Sequence, residues 1–116
     1  MNESSPLRAG DVWDASLDPI QGHEQGGFRP VIIVSANWYN EIPHGLCMVV
    51  PLSRQHKGVQ AHVPISQEDA GLRSLSFALC EQVRAISVTR LRRKRGSVSK
   101  EMLTQLRAIV HGFLDE

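Results

Sequence analysis

The sequence predicts an α+β protein in which a compact, strongly curved antiparallel β-barrel carries short helices and a C-terminal amphipathic helix. Two observations predict this class. Several short stretches rich in apolar and β-branched residues follow one another between turns marked by glycine and proline, and only the last segment has apolar residues at helical spacing. An amphipathic helix that follows a run of strands needs a sheet to pack on, which is typical of this class.

Five segments are expected to form strands. The first alternates polar and apolar residues, whereas the second contains four consecutive β-branched apolar residues, which indicates a strand buried on both faces. Pro64 marks the fourth as an edge strand or a strand end. The segments are 11–15, 29–35, 46–52, 60–65 and 75–86, the last bent near Cys80, and a short helical turn is expected at 37–40.

The C-terminal helix has the clearest signals. Ser99 is a good N-cap, and Glu101 suits the positive N-terminal end of a helix. Apolar residues then recur at helical spacing, at Met102, Leu103, Leu106, Ile109, Val110, Phe113 and Leu114. This stripe predicts a helix that covers the sheet.

The size and composition indicate one globular domain over residues 1–116. The chain has 116 residues, 41% of them hydrophobic and 22% charged. No apolar run approaches the roughly 20 residues of a membrane-spanning helix, and the N-terminus has no apolar signal-peptide segment. We therefore expect a cytoplasmic protein without a membrane partner.

The two cysteines, Cys47 and Cys80, each lie in an apolar run. They are able to pair, but a reducing cytosol favours two buried free thiols. Neither the cysteines nor the five histidines have the spacing of a zinc site. No metal and no other cofactor is predicted.

Positive charge is concentrated in one part of the chain although the net charge is only +1. Between residues 82 and 100 there are seven basic residues and no acidic one. Clustering of this kind suits the binding of phosphates. The run from Arg92 to Arg95 has a second interpretation, a solvated turn that protects a sheet edge from aggregation. Both interpretations remain open at this point.

Four segments in a fixed order carry a family resemblance. Residues 17–35 read LDPIQGHEQGGFRPVIIVS, 50–53 read VPLS, 81–86 read EQVRAI and 96–98 read GSV. Together they resemble the MazF/PemK/Kid family of toxin endoribonucleases from type II toxin–antitoxin systems, over about residues 10–114. The resemblance implies an SH3-like barrel of the CcdB/PemK type, a homodimer, a cognate MazE-like antitoxin, and sequence-specific cleavage of single-stranded messenger RNA.

Metal-free cleavage of RNA by attack of the ribose 2′-hydroxyl needs a rigid cation near the phosphate and groups that transfer protons. Arg29 is the best candidate for the cation, because a guanidinium binds phosphate bidentately and Pro30 holds the backbone extended. The resemblance implies that Arg29 is catalytic and that Ser53 takes the place of the family's catalytic threonine or serine. Without the resemblance, Arg29 would be interpreted as an arginine at a strand end that forms a salt bridge, and Ser53 as a polar residue that ends a strand.

Further residues are predicted to contact RNA. His23 precedes Arg29 in a polar loop and is expected to be an RNA contact rather than the general base, although its assignment stays open. Glu24 and Gln25 are expected to brace that loop and shape the groove, and Phe28 to stack on a base. A catalytic role for Glu81 is also open. The predicted RNA-binding set is His23, Glu24, Gln25, Phe28, Arg54, Lys57 and Arg84.

Fold does not determine function, so two alternatives accompany the ribonuclease. A CcdB-like toxin with the same barrel binds gyrase and cuts nothing, and a decayed member of the family binds only RNA or antitoxin. The combination of Arg29 in its loop with Ser53 after Pro51 favours the nuclease, because it is the combination that CcdB-like chains lack.

Overall fold

The computed structural model describes residues 7–18, 22, 26–56, 58–59 and 61–115, without the side chains of Gln67 and Asp69. The strands in this part of the chain are β1 Asp11–Ser16, β2 Phe28–Ile33, β3 Leu46–Ser53, β4 His62–Ile65, β5 Ser76–Leu79, β6 Arg84–Ser87 and β7 Leu91–Ser97. The helices are α1 Asn37–Asn40, α2 Gln67–Ala70 and α3 Lys100–Gly112, with 3-10 turns at Cys80–Gln82 and Val88–Arg90.

The strands form one antiparallel sheet in the order β4-β5-β3-β2-β1-β7. β3 is long enough to take two partners along one edge: β6 pairs with its first half and β5 with its second half. Over the described residues the pairing leaves an open sheet with β4 and β7 as its ends. The α+β class with a C-terminal helix is therefore confirmed, whereas the strand pairs do not close the sheet into a barrel.

The structure also corrects local predictions. The segment 75–86 forms two strands rather than one, and the bend expected near Cys80 is present as a 3-10 turn between them. Both strands run antiparallel to β3, but their registers against β3 differ by three residues, which the turn accommodates. The run from Arg92 to Arg95 is not a turn but belongs to β7, which pairs with β1. Most of β7 is exposed at the sheet edge, so it lacks the alternating apolar residues from which a strand is predicted. The short helix α2 is likewise not predicted from the sequence.

The core lies on both faces of the central strands. Ile32 and Val34 belong to one apolar cluster, whereas Val31 and Ile33 belong to another. This arrangement confirms the prediction that the second strand is buried on both faces. On the first face α3 contributes Leu106, which is fully buried, and burial of a leucine side chain contributes roughly 2 kcal/mol to stability.

Helix α3 begins as the sequence predicts. The Ser99 side chain accepts a hydrogen bond from the backbone N–H of Met102 at 3.0 Å. The end of the apolar stripe is less covered, because Phe113 is 49% and Leu114 80% exposed. Among the described residues no helix is long and apolar enough to cross a membrane.

The two cysteines are buried and free, and they lie in different apolar clusters. Cys47 belongs to the cluster around Val31, and Cys80 belongs to the cluster around Ile32. Burial raises the pKa of each thiol to about 11. The expectation of buried free thiols is confirmed, and both are protonated at neutral pH.

Two glycines permit a close approach between α2 and β7. Gly71 has a φ of +67°, and a Cβ atom at this position would lie 2.0 Å from the carbonyl oxygen of Arg95. A Cβ atom on Gly96 would lie 2.9 Å from the carbonyl carbon of Ala70. The segment after α2 can therefore lie directly against the backbone of β7 only where both residues lack side chains.

We expect Gly71→Ala to destabilise the protein strongly, because the new methyl group meets rigid backbone. Gly45→Ala is the matched control, since Gly45 has a φ of +75° but no atom within 4 Å of an added Cβ. The control should lose about 1–2 kcal/mol from the left-handed conformation alone. Gly71→Ala should lose at least about 2 kcal/mol more. Urea unfolding of both variants measures the difference, and equal losses would contradict the close approach.

Candidate active site

An open groove of about 550 Å³ lies where β2 begins and β3 ends, beside β7. Arginines from four parts of the chain reach this groove, together with a serine at the end of β3. The lining residues are Asp14, Phe28, Arg29, Pro30, Leu52, Ser53, Arg54, Leu72, Arg73, Ser74, Ser76, Arg93 and Arg95. Among the residues predicted to act in catalysis or RNA binding, Arg29, Ser53, Phe28 and Arg54 therefore share one groove.

Strand pairing brings Arg29 and Ser53 together. The register of β2 and β3 pairs Val31 with Pro51, and continuing it by two residues sets Arg29 opposite Ser53. The Nη1 atom of Arg29 donates to the carbonyl oxygen of Leu52 at 3.1 Å, directly before Ser53. The sequence separates the two residues widely, and the antiparallel pairing makes them neighbours.

The Arg29 side chain is held in a defined position. Its Nε atom donates to the carbonyl oxygen of Gly26 at 2.7 Å, in addition to the bond to Leu52. Desolvation by burial lowers the pKa of Arg29, and the charge of Asp18 opposes this effect. A guanidinium stays protonated at neutral pH despite such a change. Arg29 is therefore a preorganised cation at the edge of the groove.

Ser53 is buried, with 6% of its surface exposed, although it ends a strand. Its Oγ atom accepts a hydrogen bond from the backbone N–H of Gln55 at 3.1 Å. This bond orients the side chain, and a hydroxyl that accepts a hydrogen bond is still able to donate its own proton. The arrangement suits a hydroxyl that donates to a phosphate oxygen.

Phe28 and Arg54 flank the pair from the solvent side. Phe28 is 65% exposed in the groove, as a base-stacking residue must be, and Arg54 is exposed as well. In the loop after Ser53, His56 stacks on Phe77 with ring centroids 4.7 Å apart.

Other predicted residues lie elsewhere or are not described. Arg84 pairs with Val49 in the first half of β3 and does not line the groove. Glu81 also lies outside the lining; its Oε2 atom is 2.7 Å from Nε2 of the buried His62. The predicted contacts His23, Glu24, Gln25 and Lys57 lie outside the described residues.

One wall of the groove consists of residues that the sequence did not indicate as a site. Arg93 and Arg95 come from β7, and the buried Asp14 faces them from β1. The Arg95 Nη1 atom lies 3.5 Å and the Arg93 Nε atom 3.9 Å from the Asp14 carboxylate. Arg73 and Ser74, between α2 and β5, complete this wall. The basic run of β7 was the available signal, but its register could not be read from the sequence.

Register shifts in β7 explain how its arginines reach the groove. Val12 pairs with Gly96 and Trp13 with Lys94, so Arg95 is an extra residue in β7, and a second shift occurs between Leu91 and Lys94. Such bulges change the direction in which a side chain points. The phosphate-binding and sheet-edge interpretations of the basic run are therefore compatible, because β7 is an edge strand that also lines the groove.

The groove is strongly electropositive. Five arginines and one aspartate line it, so the formal charge of its described lining is +4. A concave surface with one sign of charge attracts and concentrates ligands of the opposite sign. Among the described residues no group of three or more His, Cys, Asp or Glu side chains is placed to hold a metal ion.

Comparison with known proteins gives consistent matches over nearly the whole chain. Residues 8–114 match the family described as PemK-like, MazF-like toxin of type II toxin–antitoxin system. The endoribonuclease PemK of Escherichia coli is 32% identical over 116 residues, which cover 95% of this chain and 86% of that protein. The endoribonuclease MazF of Staphylococcus saprophyticus is 33% identical over 101 residues, 86% of this chain and 84% of that protein.

Solved structures agree on the fold. The crystal structure of MazF (Form-I) from Deinococcus radiodurans has a TM-score of 0.82 at 24% identity, covering 97% of this chain and 99% of that one. A MazE–MazF structure from the same organism has a TM-score of 0.77 at 24% identity, covering 95% and 96%. Since the family match spans residues 8–114 and both relatives are at least 32% identical, the chain belongs to the PemK-like, MazF-like toxins of type II toxin–antitoxin systems.

Proposed function

We propose that this toxin is a metal-independent, sequence-specific endoribonuclease that cleaves single-stranded messenger RNA and thereby inhibits translation and growth. The observation that carries the proposal is the placement of Arg29 beside Ser53 in an electropositive groove. Both relatives are named as endoribonucleases, which supports internal cleavage of RNA as the activity.

The proposed reaction is an internal transesterification. The 2′-oxygen forms a bond to phosphorus and loses its proton, while the bond from phosphorus to the 5′-oxygen breaks and that oxygen gains a proton. The products carry a 2′,3′-cyclic phosphate and a 5′-hydroxyl. Arg29 stabilises the negative charge that develops on the phosphate, and the Ser53 hydroxyl donates to one of its oxygens.

RNA enters the groove as a single strand with its bases turned outward. Phe28 stacks on one base, and Arg54 contacts the phosphate backbone beside Ser53. The remaining predicted contacts, His23, Glu24, Gln25, Lys57 and Arg84, stay part of the proposal. Arg84 lies outside the groove, so its contact would be with RNA that extends beyond it.

The assembly state and partner belong to the same proposal. A second groove of about 430 Å³ lies between α3 and the central strands, and most of its lining side chains are apolar, including Met48, Val110 and Leu114. Such an exposed apolar surface is typical of an interface. We infer that it joins two copies of the chain, each with a curved, SH3-like sheet, and that a MazE-like antitoxin inhibits the dimer. The MazE–MazF structure from Deinococcus radiodurans supports the inference of a MazE-like antitoxin.

Purified protein should cut a long single-stranded RNA at discrete positions in excess chelator. The fragments should carry cyclic-phosphate and 5′-hydroxyl ends, because the attacking group is a ribose hydroxyl rather than water. End-specific enzymatic labelling of the fragments identifies these ends. Folded, antitoxin-free protein that cuts nothing would contradict the proposal and favour a CcdB-like binder or a decayed toxin.

Arg29→Ala should lower the cleavage rate by about 100-fold or more, because it removes a preorganised cation from the phosphate. Ser53→Ala should lower it by about 10- to 100-fold, the value of a hydrogen bond to a charged group, whereas Ser53→Thr should keep most of the activity. Arg92→Ala is the control, since Arg92 is an exposed arginine outside the groove lining. Full activity of Arg29→Ala would refute the site assignment.

Sedimentation equilibrium at micromolar concentration should give the mass of a dimer for the unmodified protein. Leu114→Asp should shift the mass toward the monomer, because it places a charge in the apolar groove, and Leu114 is 80% exposed in the single chain. Leu75→Asp, at a 51% exposed leucine outside that groove, should remain dimeric. A monomeric unmodified protein would rule out the dimer.

A further inference from the structure

We propose that Arg73 and Arg93 form a second phosphate-binding subsite, which holds a non-scissile phosphate of the same single strand. The inference rests on the proposed function, because it takes Arg29 and Ser53 as the place of the scissile phosphate. It adds a wall of the groove that belongs to neither the catalytic pair nor the predicted RNA contacts.

The wall has a buried, fixed layer. The side chains of Asp14 and Arg95 are 11% and 13% exposed, and their charged atoms lie 3.5 Å apart. The Arg95 Nε atom also donates to the carbonyl oxygen of Gly71 at 3.2 Å. Asp14 and Arg95 therefore neutralise each other in the interior and anchor β7 to α2. This pair supplies the support for the subsite rather than its binding group.

Arg93 and Arg73 lie above this layer and are accessible. The Arg93 side chain is 69% exposed, and its Nε atom is as far as 3.9 Å from Asp14, which Arg95 already engages. Arg73 is exposed and lines the same groove. Since Arg93 shares the Asp14 carboxylate with Arg95, a phosphate that enters the groove beside Arg93 and Arg73 balances positive charge that Asp14 leaves uncompensated.

Ser74 supplies an independent polar group. Its Oγ atom is buried and has no hydrogen-bond partner among the described residues, although the residue lines the groove. An unpaired buried hydroxyl is unfavourable, and a ligand oxygen is able to pair with it. Two guanidinium groups and a hydroxyl together are able to bind the oxygens of a tetrahedral phosphate.

The continuity of the groove identifies the ligand. Arg29, Ser53, Arg73 and Arg93 all line the same open space, so an anion at the second subsite lies on the path of a chain bound at the first. The chemistry that fits both positions is a single-stranded polynucleotide, whose phosphates repeat along one backbone. The formal charge of +4 suits such a polyanion better than a single phosphate group.

The test uses salt-dependent binding of a short 2′-O-methyl RNA of mixed sequence, which has no hydroxyl able to attack. Arg73→Gln and Arg93→Gln should each reduce the slope of log affinity against log salt concentration by roughly 0.7, the loss of one single-strand phosphate contact. Arg92→Gln is the matched control, an exposed arginine of the same strand that does not line the groove, and should keep the original slope.

A kinetic measurement separates binding from chemistry. With cleavable RNA, Arg93→Gln should lower the cleavage rate at subsaturating enzyme several-fold more than the rate at saturating enzyme, because the variant loses a contact made equally in the bound state and the transition state. Unfolding curves of the three variants show whether each is folded.

The outcomes distinguish the two proposals. Unchanged slopes in Arg73→Gln and Arg93→Gln, in a protein that still cuts RNA, would overturn the second subsite and leave the proposed function intact. An equal decrease in Arg92→Gln would also overturn it, because the effect would then come from net charge alone. If the unmodified protein neither binds nor cuts RNA, the proposed function itself is wrong, and the subsite with it.

Discussion

The antiparallel pairing of β2 with β3 is the constraint on which the site depends. β2 is buried on both faces, with Ile32 in one apolar cluster and Val31 in the other. A slip of one residue would exchange the two faces and place each side chain in the wrong cluster. The same register, continued two residues past its last pair, brings Arg29 to the end of β3, where its Nη1 atom donates to the carbonyl oxygen of Leu52 beside Ser53. Packing of the core and placement of the groove's central pair are therefore consequences of one alignment.

A second constraint is electrostatic and lies at the sheet edge. Five arginines in one groove would repel each other, and Asp14, the single carboxylate among the described lining residues, lies 3.5 Å from Arg95 and 3.9 Å from Arg93. The bulged β7 supplies two of these arginines without disturbing the apolar faces of β1. The uncompensated charge remains at the surface of the groove, where a polyanion is able to neutralise it.

Membership of the toxin family and the geometry of the groove support each other at different levels. The family match gives the class of protein, and the solved structures give the fold. The groove shows the contacts of this chain's own residues. Arg29 donates hydrogen bonds to the carbonyl oxygens of Gly26 and Leu52, and Ser53 accepts one from the backbone N–H of Gln55. The proposed chemistry rests on these contacts.

Local patterns in the sequence determined much of this protein. The β-branched run of β2 and the capped apolar stripe of α3 predict a strand buried on both faces and a covering helix, because each pattern reflects its immediate neighbours. The motifs around Arg29 and Ser53 also indicate the family. Only the tertiary structure decided that the described strands form an open sheet, that the basic run forms β7, and that Asp14, Arg73 and Arg93 share the groove with Arg29. These features depend on pairing between distant segments and on bulges, which no local periodicity encodes.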